Sequence, residues 1–227
     1  MKRILLFTFL GILLIIVTLA VNLYIFSKNA QEISRGDPIP TYSVEKAALL
    51  VVDIQEGTTG TVSDIKSYIT QSEWLIPRLN QLAKIADSLM VPVIYIRNEV
   101  SNPLINILNN SMAAGTEGAH LDQRLRIQSD HILAKKKNDA FSNPALENLL
   151  AELKINHLIF TGLDAANCVN STMMGAENRK FKITVLEDAV IADTEESWKN
   201  MMAEYQRRGA LLIRSDQFIQ LVSREFH

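Results

Sequence analysis

The chain has 227 residues, of which 48% are hydrophobic and 21% are charged, and its formal net charge is -2. This length suits one globular core, and the near balance of acidic and basic residues excludes a nucleic-acid-binding surface. The single cysteine, Cys168, excludes an internal disulfide and a thiolate metal cluster built from this chain alone.

A long apolar run opens the chain. No residue from Ile4 to Phe26 is charged, and at about 1.5 Å per residue a helix over this run spans the roughly 30 Å of a bilayer core. Lys2 and Arg3 precede it, which predicts a single-pass anchor with a cytoplasmic N-terminus and a periplasmic or otherwise extracytoplasmic domain. A signal peptide cleaved after the small-residue sequence at 18–20 is the alternative.

Three regions follow from this pattern. Residues 1–28 are the transmembrane anchor or an uncleaved signal, and residues 45–227 are the globular domain. Residues 29–44 between them are polar and contain Pro38 and Pro40, which predicts a tether that holds the domain off the membrane.

Strand and helix patterns alternate within the domain. The predicted strands are the apolar runs 47–52, 91–96, 158–161, 183–186 and 211–213, with a short strand around Leu133. The predicted helices cover 75–89, 143–153, 169–180 and 198–208, with Gly209 as the cap of the last. The alternation predicts a three-layer α/β/α fold with a mostly parallel, Rossmann-like central sheet.

Three reactive side chains stand where predicted strands end. Asp53 follows the first strand, Lys135 ends the short strand, and Cys168 lies in the turn after the strand at 158–161. The ligand crevice of an open parallel sheet lies beyond the carboxyl ends of its strands, so we expect these side chains to converge. Strand alternation separates Lys135 from Lys136 but does not choose between them.

The three residue types can together hydrolyse an amide. Cys168 opens the helix predicted from Val169, where the helix dipole and free N–H groups favour a thiolate. A thiolate forms a thioester with an amide carbonyl if one group takes the thiol proton and returns it to the leaving nitrogen, and Asp53 can do both. Lys135 can hold Asp53 ionised and stabilise the oxyanion. Taken singly, however, a strand-end aspartate often caps a turn and successive lysines often form a solvated patch.

Four segments resemble, in order, the isochorismatase-like cysteine hydrolases, a family that includes nicotinamidases and N-carbamoylsarcosine amidohydrolase. They are ALLVVDIQ at 48–55, KKKNDAF at 135–141, the stretch 161–189 around NCVNST, and 196–213. The resemblance implies the isochorismatase-like fold over nearly the whole domain.

The resemblance also assigns roles. It implies Asp53 of the D-x-Q motif as general base, Cys168 as nucleophile and Lys135, four residues before the triplet 139–141, as the third member of the triad. It implies a non-proline cis peptide between Leu163 and Asp164, which aims the backbone N–H groups of Asp164 and Cys168 at the oxyanion.

Departures from the family pattern leave the substrate open. Asp139 stands where the family has serine, and Asp164 where it usually has an apolar or aromatic residue. These carboxylates either recognise a cationic substrate or raise the pKa of the thiol and weaken it. Gln55, Phe141 and Asp164 are expected to contact the substrate.

We expect no metal and no other cofactor. None of the four histidines, His120, His131, His157 and His227, lies in the Asp-x-His setting of the metal-binding nicotinamidases, which argues against that activity. Isochorismatases proper lack the cysteine and cleave an enol ether, so Cys168 argues against that reaction too.

The sequence therefore predicts a membrane-anchored hydrolase that cleaves the C–N bond of a small amide, carbamoyl or ureido compound through a thioester. A catalytically silent binding or scaffold protein on the same fold and a hydrolase of esters or thioesters are the alternatives. The resemblance implies a homo-oligomer.

Overall fold

A fully parallel sheet forms the centre of the computed structural model, which describes residues 2–108, 111–218 and 220. Its six strands have the order β3-β2-β1-β4-β5-β6, and every neighbouring pair is parallel. The strands are β1 (Ala47–Val52), β2 (Val93–Asn98), β3 (Ile132–Lys135), β4 (His157–Gly162), β5 (Lys182–Val190) and β6 (Leu211–Ile213).

Six helices with both ends defined accompany the strands within the described residues, and residues 215–218 are also helical. They are α1 (Lys2–Ala30), α2 (Lys66–Ser88), α3 (Pro103–Leu108), α4 (Pro144–Glu152), α5 (Asn170–Asn178) and α6 (Glu195–Arg207). A turn of π-helix, Ala165–Val169, leads into α5. Of these, α3 was not predicted from the sequence.

Helices cover both faces of the sheet. Along β1 the side chains alternate, so that Leu49 and Val51 share a core with α2, while Leu50 and Val52 share a core with α4, α5 and α6. Every residue of β1 is buried, which explains its unbroken apolar sequence. The structure confirms the predicted three-layer α/β/α architecture with a parallel sheet.

The order of the strands in the sheet reverses between the neighbouring strands β1 and β4. The first three strands extend one half of the sheet and the last three extend the other, so a crevice opens at the carboxyl ends of β1 and β4. Gly162 ends β4 with a φ of 105°, and a Cβ there would lie 2.2 Å from the Val52 carbonyl oxygen. Only glycine allows the two strands to approach this closely beside the crevice.

The N-terminal helix α1 has 29 residues. Its length and apolar composition are sufficient to cross a membrane, a property that signal sequences share.

The segment after α1, predicted as a tether, packs on the domain. Ser34 donates from its backbone N and from Oγ to Asp139 Oδ2, at 2.8 and 2.6 Å. The Arg179 guanidinium donates to Ser34 Oγ at 3.1 Å and to the Arg35 carbonyl at 3.3 Å, and Ile39 N donates to the Arg179 carbonyl at 2.8 Å. Residues 31–39 therefore form a docked strap that lies over the end of α5.

Candidate active site

Asp53, Lys135 and Cys168 meet at the carboxyl end of the sheet. Lys135 Nζ lies 2.9 Å from Asp53 Oδ2 and 3.1 Å from Cys168 Sγ, so the ammonium bridges the other two side chains. Lys135 is 1% exposed and Asp53 is 3% exposed, whereas Lys136 is exposed to solvent. Geometry thus places Lys135, and not Lys136, beside the aspartate.

The backbone turns sharply at Asp53. This residue directly follows β1 and has a φ of 55°, a left-handed conformation that costs a non-glycine residue about 1 to 3 kcal/mol. Two neighbours hold it there, since Asp53 N donates to the Ile96 carbonyl at 2.8 Å and Thr58 Oγ1 donates to the Asp53 carbonyl at 2.8 Å. The turn aims the carboxylate into the crevice.

The electrostatics of the cluster favour a charged lysine and a neutral thiol. Burial alone lowers the pKa of Lys135, but the neighbouring Asp53 and Cys168 outweigh burial and leave that pKa raised. Burial raises the pKa of Cys168, Asp53 raises it further and Lys135 opposes both, which leaves it at about 12. Burial and the neighbouring carboxylate therefore act against the thiolate that the position at a helix N-terminus favours.

One oxygen of Asp53 remains uncommitted. Oδ2 faces Lys135, while Oδ1 is buried and has no hydrogen-bond partner among the described residues. A buried carboxylate oxygen without a donor is costly to keep, and here it is available to receive a proton.

A cavity of about 330 Å³ contains the reactive side chains of Asp53 and Cys168. Clefts of about 540 Å³ elsewhere on the surface contain neither of them. The other residues that line the cavity with Asp53 and Cys168 come mainly from the loops after β1, β2 and β4. They are Gly57, Thr58, Val62, Asp64, Ile65, Tyr68, Asn98, Ser111, Met112, Leu163, Asp164 and Asn167. The volume suits a small molecule.

Asp164 lines this cavity, but its carboxylate is fully engaged. Oδ1 accepts from Ala166 N and Asn167 Nδ2, both at 2.8 Å, and Oδ2 accepts from Tyr68 Oη and Asp193 N, both at 3.0 Å. With four donors, the side chain braces the turn that carries Cys168 and is a poor partner for a substrate cation.

The backbone of Asp164 is placed differently from its side chain. The Leu163–Asp164 peptide is cis, at the bond where the family resemblance implies one. The Asp164 N–H donates to no group in the part of the chain that the structure describes, so it can donate to a ligand in the cavity.

Gln55 and Phe141 lie outside the cavity, contrary to the expectation that they contact the substrate. The Gln55 amide is fully buried, donates to the Asn98 and Ala119 carbonyls at 3.0 Å and accepts from Asn98 N at 2.7 Å. Phe141 is 3% exposed, with its ring beside the Arg179 guanidinium. Both residues support loops near the site because their side chains are already committed to neighbours.

Asp139 is also remote from the cavity. It is fully buried under the strap, where burial raises its pKa although Ser34 and Phe141 N donate to it. Its carboxylate therefore binds the strap and does not line the cavity, where the sequence led us to expect that it would recognise a substrate or act on the thiol.

The structure adds cavity residues that the sequence did not indicate. Tyr68, Asn98 and Asn167 line the space beside Cys168. Tyr68 lies in the first turn of α2, ahead of the apolar repeat that predicted this helix, and so gave no signal. Asn98 ends β2, and strand ends at this edge of the sheet are where such residues are to be sought.

No metal site is evident in the described chain. Among residues 2–108, 111–218 and 220, no group of three or more His, Cys, Asp or Glu side chains is placed to hold an ion. His120 is exposed, and His227 lies outside the described residues. The absence of a metal and of other cofactors stays a prediction.

Comparison with known proteins identifies relatives of this chain. A family model described as the isochorismatase domain matches residues 47–217. The isochorismatase family protein YaaI of Bacillus subtilis (strain 168) is 27% identical over 151 residues, which cover 66% of this chain and 82% of that protein. Ureidoacrylate amidohydrolase RutB of Enterobacter sp. (strain 638) is 26% identical over 176 residues, with coverages of 66% and 76%. The solved structure of N-carbamoylsarcosine amidase from Thermoplasma acidophilum is 27% identical, has a TM-score of 0.63 and corresponds to 75% of this chain and 97% of its own.

Proposed function

The chain belongs to the isochorismatase family, and on this premise we propose that it is a cysteine-dependent hydrolase of a C–N bond in a small amide, carbamoyl or ureido compound. The observation that carries the proposal is the bridge from Lys135 Nζ to both Asp53 and Cys168 beside a cavity of about 330 Å³. Two relatives whose names describe amide-cleaving enzymes support the same bond class.

The proposed reaction begins with a proton transfer. Asp53 Oδ1, which has no other partner in the part of the chain that the structure describes, accepts the proton of the Cys168 thiol as the sulfur attacks the carbonyl carbon. The carbonyl electron pair moves onto oxygen, where the backbone N–H groups of Asp164 and Cys168 donate to the oxyanion and Lys135 supplies positive charge.

The tetrahedral intermediate then collapses to a thioester. The C–N bond breaks, and Asp53 returns its proton to the departing nitrogen, which leaves as an amine or ammonia. Water attacks the thioester while Asp53 takes a proton from it, and the thiol leaves with that proton. The products are a carboxylic or carbamic acid and the amine, and the resting cluster is restored.

A thiol with a pKa of about 12 is compatible with this scheme. The reactive anion forms only as the proton moves to Asp53, a general-base step that typically contributes about 10²- to 10⁴-fold to a rate. Lys135 then faces a carboxylic acid and a thiolate in place of a carboxylate and a thiol, so its charge is balanced throughout.

A silent scaffold on the same fold is less well supported. That alternative required Asp139 and Asp164 to disturb the thiol, but Asp139 is engaged by Ser34 and Asp164 by four donors. Hydrolysis of an ester or thioester remains open to the same nucleophile and is an arm of the test.

The test is a screen of the full chain in detergent against small amides, ureido compounds, esters and thioesters, with detection of the released amine, alcohol or thiol. We expect hydrolysis of at least one amide or ureido compound and its loss in Cys168→Ala, a change that removes little volume. Turnover that survives in Cys168→Ala refutes the thioester route. Hydrolysis of esters alone refutes the assigned bond class, and a full panel without turnover favours the scaffold.

We also propose that residues 1–28 anchor the protein in a membrane, with the N-terminus cytoplasmic and the domain extracytoplasmic. Support comes from the length of α1 and from Lys2 and Arg3 before its apolar stretch. Protease added to intact spheroplasts should degrade the domain. Protection until the membrane is lysed places the domain in the cytoplasm.

A further inference from the structure

The last turns of α1 lie against the globular domain. Within α1, Leu19, Asn22, Phe26 and Ala30 are partly buried while the other described side chains are exposed, and their spacing of three and four residues puts them on one helix face. Asn102 Nδ2, just before α3, donates to Asn22 Oδ1 at 3.0 Å. The domain therefore touches α1 at a level within its apolar stretch.

The depth of this contact follows from helix geometry. The apolar stretch ends at Phe26, and at about 1.5 Å per residue Asn22 lies about 6 Å and Leu19 about 10 Å before that end. If α1 crosses the membrane, a part of the domain that touches Asn22 lies within the boundary layer of the bilayer. Interfacial helices are buried to about 5 to 10 Å in that layer.

The element at this level has the composition of a lipid contact. The helix α3 has the sequence PLINIL, and no residue from Val100 to Thr116 is charged. Ile107 is 78% exposed, which leaves a large apolar side chain in water unless lipid covers it.

The strap between α1 and the sheet packs closely on the domain. Besides its hydrogen bonds to Asp139 and Arg179, it approaches so closely that a Cβ at Gly36 would lie 2.5 Å from Arg179 Cζ. Arg179 is 2% exposed and is held in turn by Glu147 at 2.9 Å. The strap between α1 and the sheet is thus held against the domain at Ser34 and Gly36.

We propose that α3 lies in the headgroup layer of the membrane and is a second lipid contact of the domain, an inference that rests on the proposed membrane anchor. The domain then sits on the bilayer and is not suspended above it. The loop that follows α3 supplies Ser111 and Met112 to the cavity, so the mouth of the site opens beside the lipid surface.

The experiment uses the full chain in a Cys168→Ser background, which removes its only cysteine. Single cysteines are introduced by Ile107→Cys in α3, Leu14→Cys in α1 and Met90→Cys, labelled with a nitrobenzoxadiazole fluorophore and reconstituted into phosphatidylcholine vesicles. Met90 is the matched control, since it is an 82% exposed apolar residue that precedes β2, whereas α3 follows the opposite end of that strand. Quenching by spin-labelled lipid is compared with quenching by aqueous iodide.

We expect lipid quenching at Ile107 to exceed that at Met90 severalfold, with iodide quenching in the opposite order. A label at Ile107 that behaves like the one at Met90, while the label at Leu14 is quenched by lipid, overturns the α3 contact and leaves the anchor standing. A label at Leu14 that also behaves like the one at Met90 overturns both. Because the labelled protein lacks the nucleophile, neither result depends on the proposed hydrolase activity.

Discussion

Truncation of Lys135 is the most direct probe of the cluster. In Lys135→Ala the ammonium that lies 2.9 Å from Asp53 and 3.1 Å from Cys168 is lost, and Asp53, which is 3% exposed, keeps a buried charge without a partner. Lys136→Ala is the matched control, because that neighbour directly follows β3 and is exposed.

The expected magnitude follows from burial. Removal of one partner from a buried ion pair costs about 3 to 5 kcal/mol, against less than about 1 kcal/mol for a surface residue such as Lys136. The raised pKa of Lys135 means that its stabilising contribution is present at neutral pH and is lost only as the pH rises through that raised value.

The measurements are the free energy of unfolding from urea titration in detergent, followed by the fluorescence of Trp74 and Trp198, and the hydrolysis rate of both variants. We expect Lys135→Ala to lose about 3 kcal/mol or more and nearly all activity, and Lys136→Ala to lose neither. A Lys135→Ala variant within 1 kcal/mol of wild type, or an inactive Lys136→Ala beside an active Lys135→Ala, refutes the assignment of the bridging cation.

Three further changes test other parts of the structure. Asp53→Asn keeps the side-chain shape but cannot accept a proton, so kcat should fall at least about 100-fold in steady-state assays; a smaller loss removes Asp53 from proton transfer. Since burial and Asp53 hold the pKa of Cys168 at about 12, labelling of the resting enzyme by iodoacetamide should keep accelerating above pH 9, where free cysteine levels off; a plateau at lower pH contradicts a protonated thiol. Gly36→Ala forces a Cβ against Arg179 whereas Gly11→Ala meets nothing within 4 Å, so trypsin should cleave after Arg35 faster only in the first variant; equal rates contradict a docked strap.

Much of the fold was predictable because the apolar patterns are strong. The unbroken run before Asp53 predicted a strand buried on both faces, and β1 is one. The first residues of the helices were harder to predict from the sequence, because the capping residues lie outside the apolar repeat. Thus α6 begins at Glu195, ahead of its first apolar residue, since the Thr194 side chain accepts from Ser197 N at 3.1 Å. The cap after α6 was found correctly, as Gly209 has a φ of 96°.

The meeting of Asp53, Lys135 and Cys168 was accessible from their positions at strand ends. The electrostatics of the cluster could not be predicted from the sequence, because the pKa of Cys168 depends on how deeply the cluster is buried. Docking of the strap could not be predicted from the sequence either, since a polar segment with two prolines gives no sign that it binds Asp139 and Arg179. The sequence shows that Asp139 replaces the serine of the family pattern, but its hydrogen bonds with Ser34 depend on a contact between distant parts of the chain.

The neutral thiol of the resting cluster affects how long the protein survives in an oxidising environment. Peroxide attacks thiolates and reacts slowly with thiols, and the lone Cys168 is partly buried with its pKa raised to about 12. Under the proposed mechanism, sulfenic acid formation is therefore expected to be slow between turnovers, and no second cysteine in the chain can trap the sulfur as an internal disulfide. Under the proposed mechanism, a nucleophile that becomes a thiolate only when Asp53 takes its proton is also expected to resist oxidative inactivation before substrate binds.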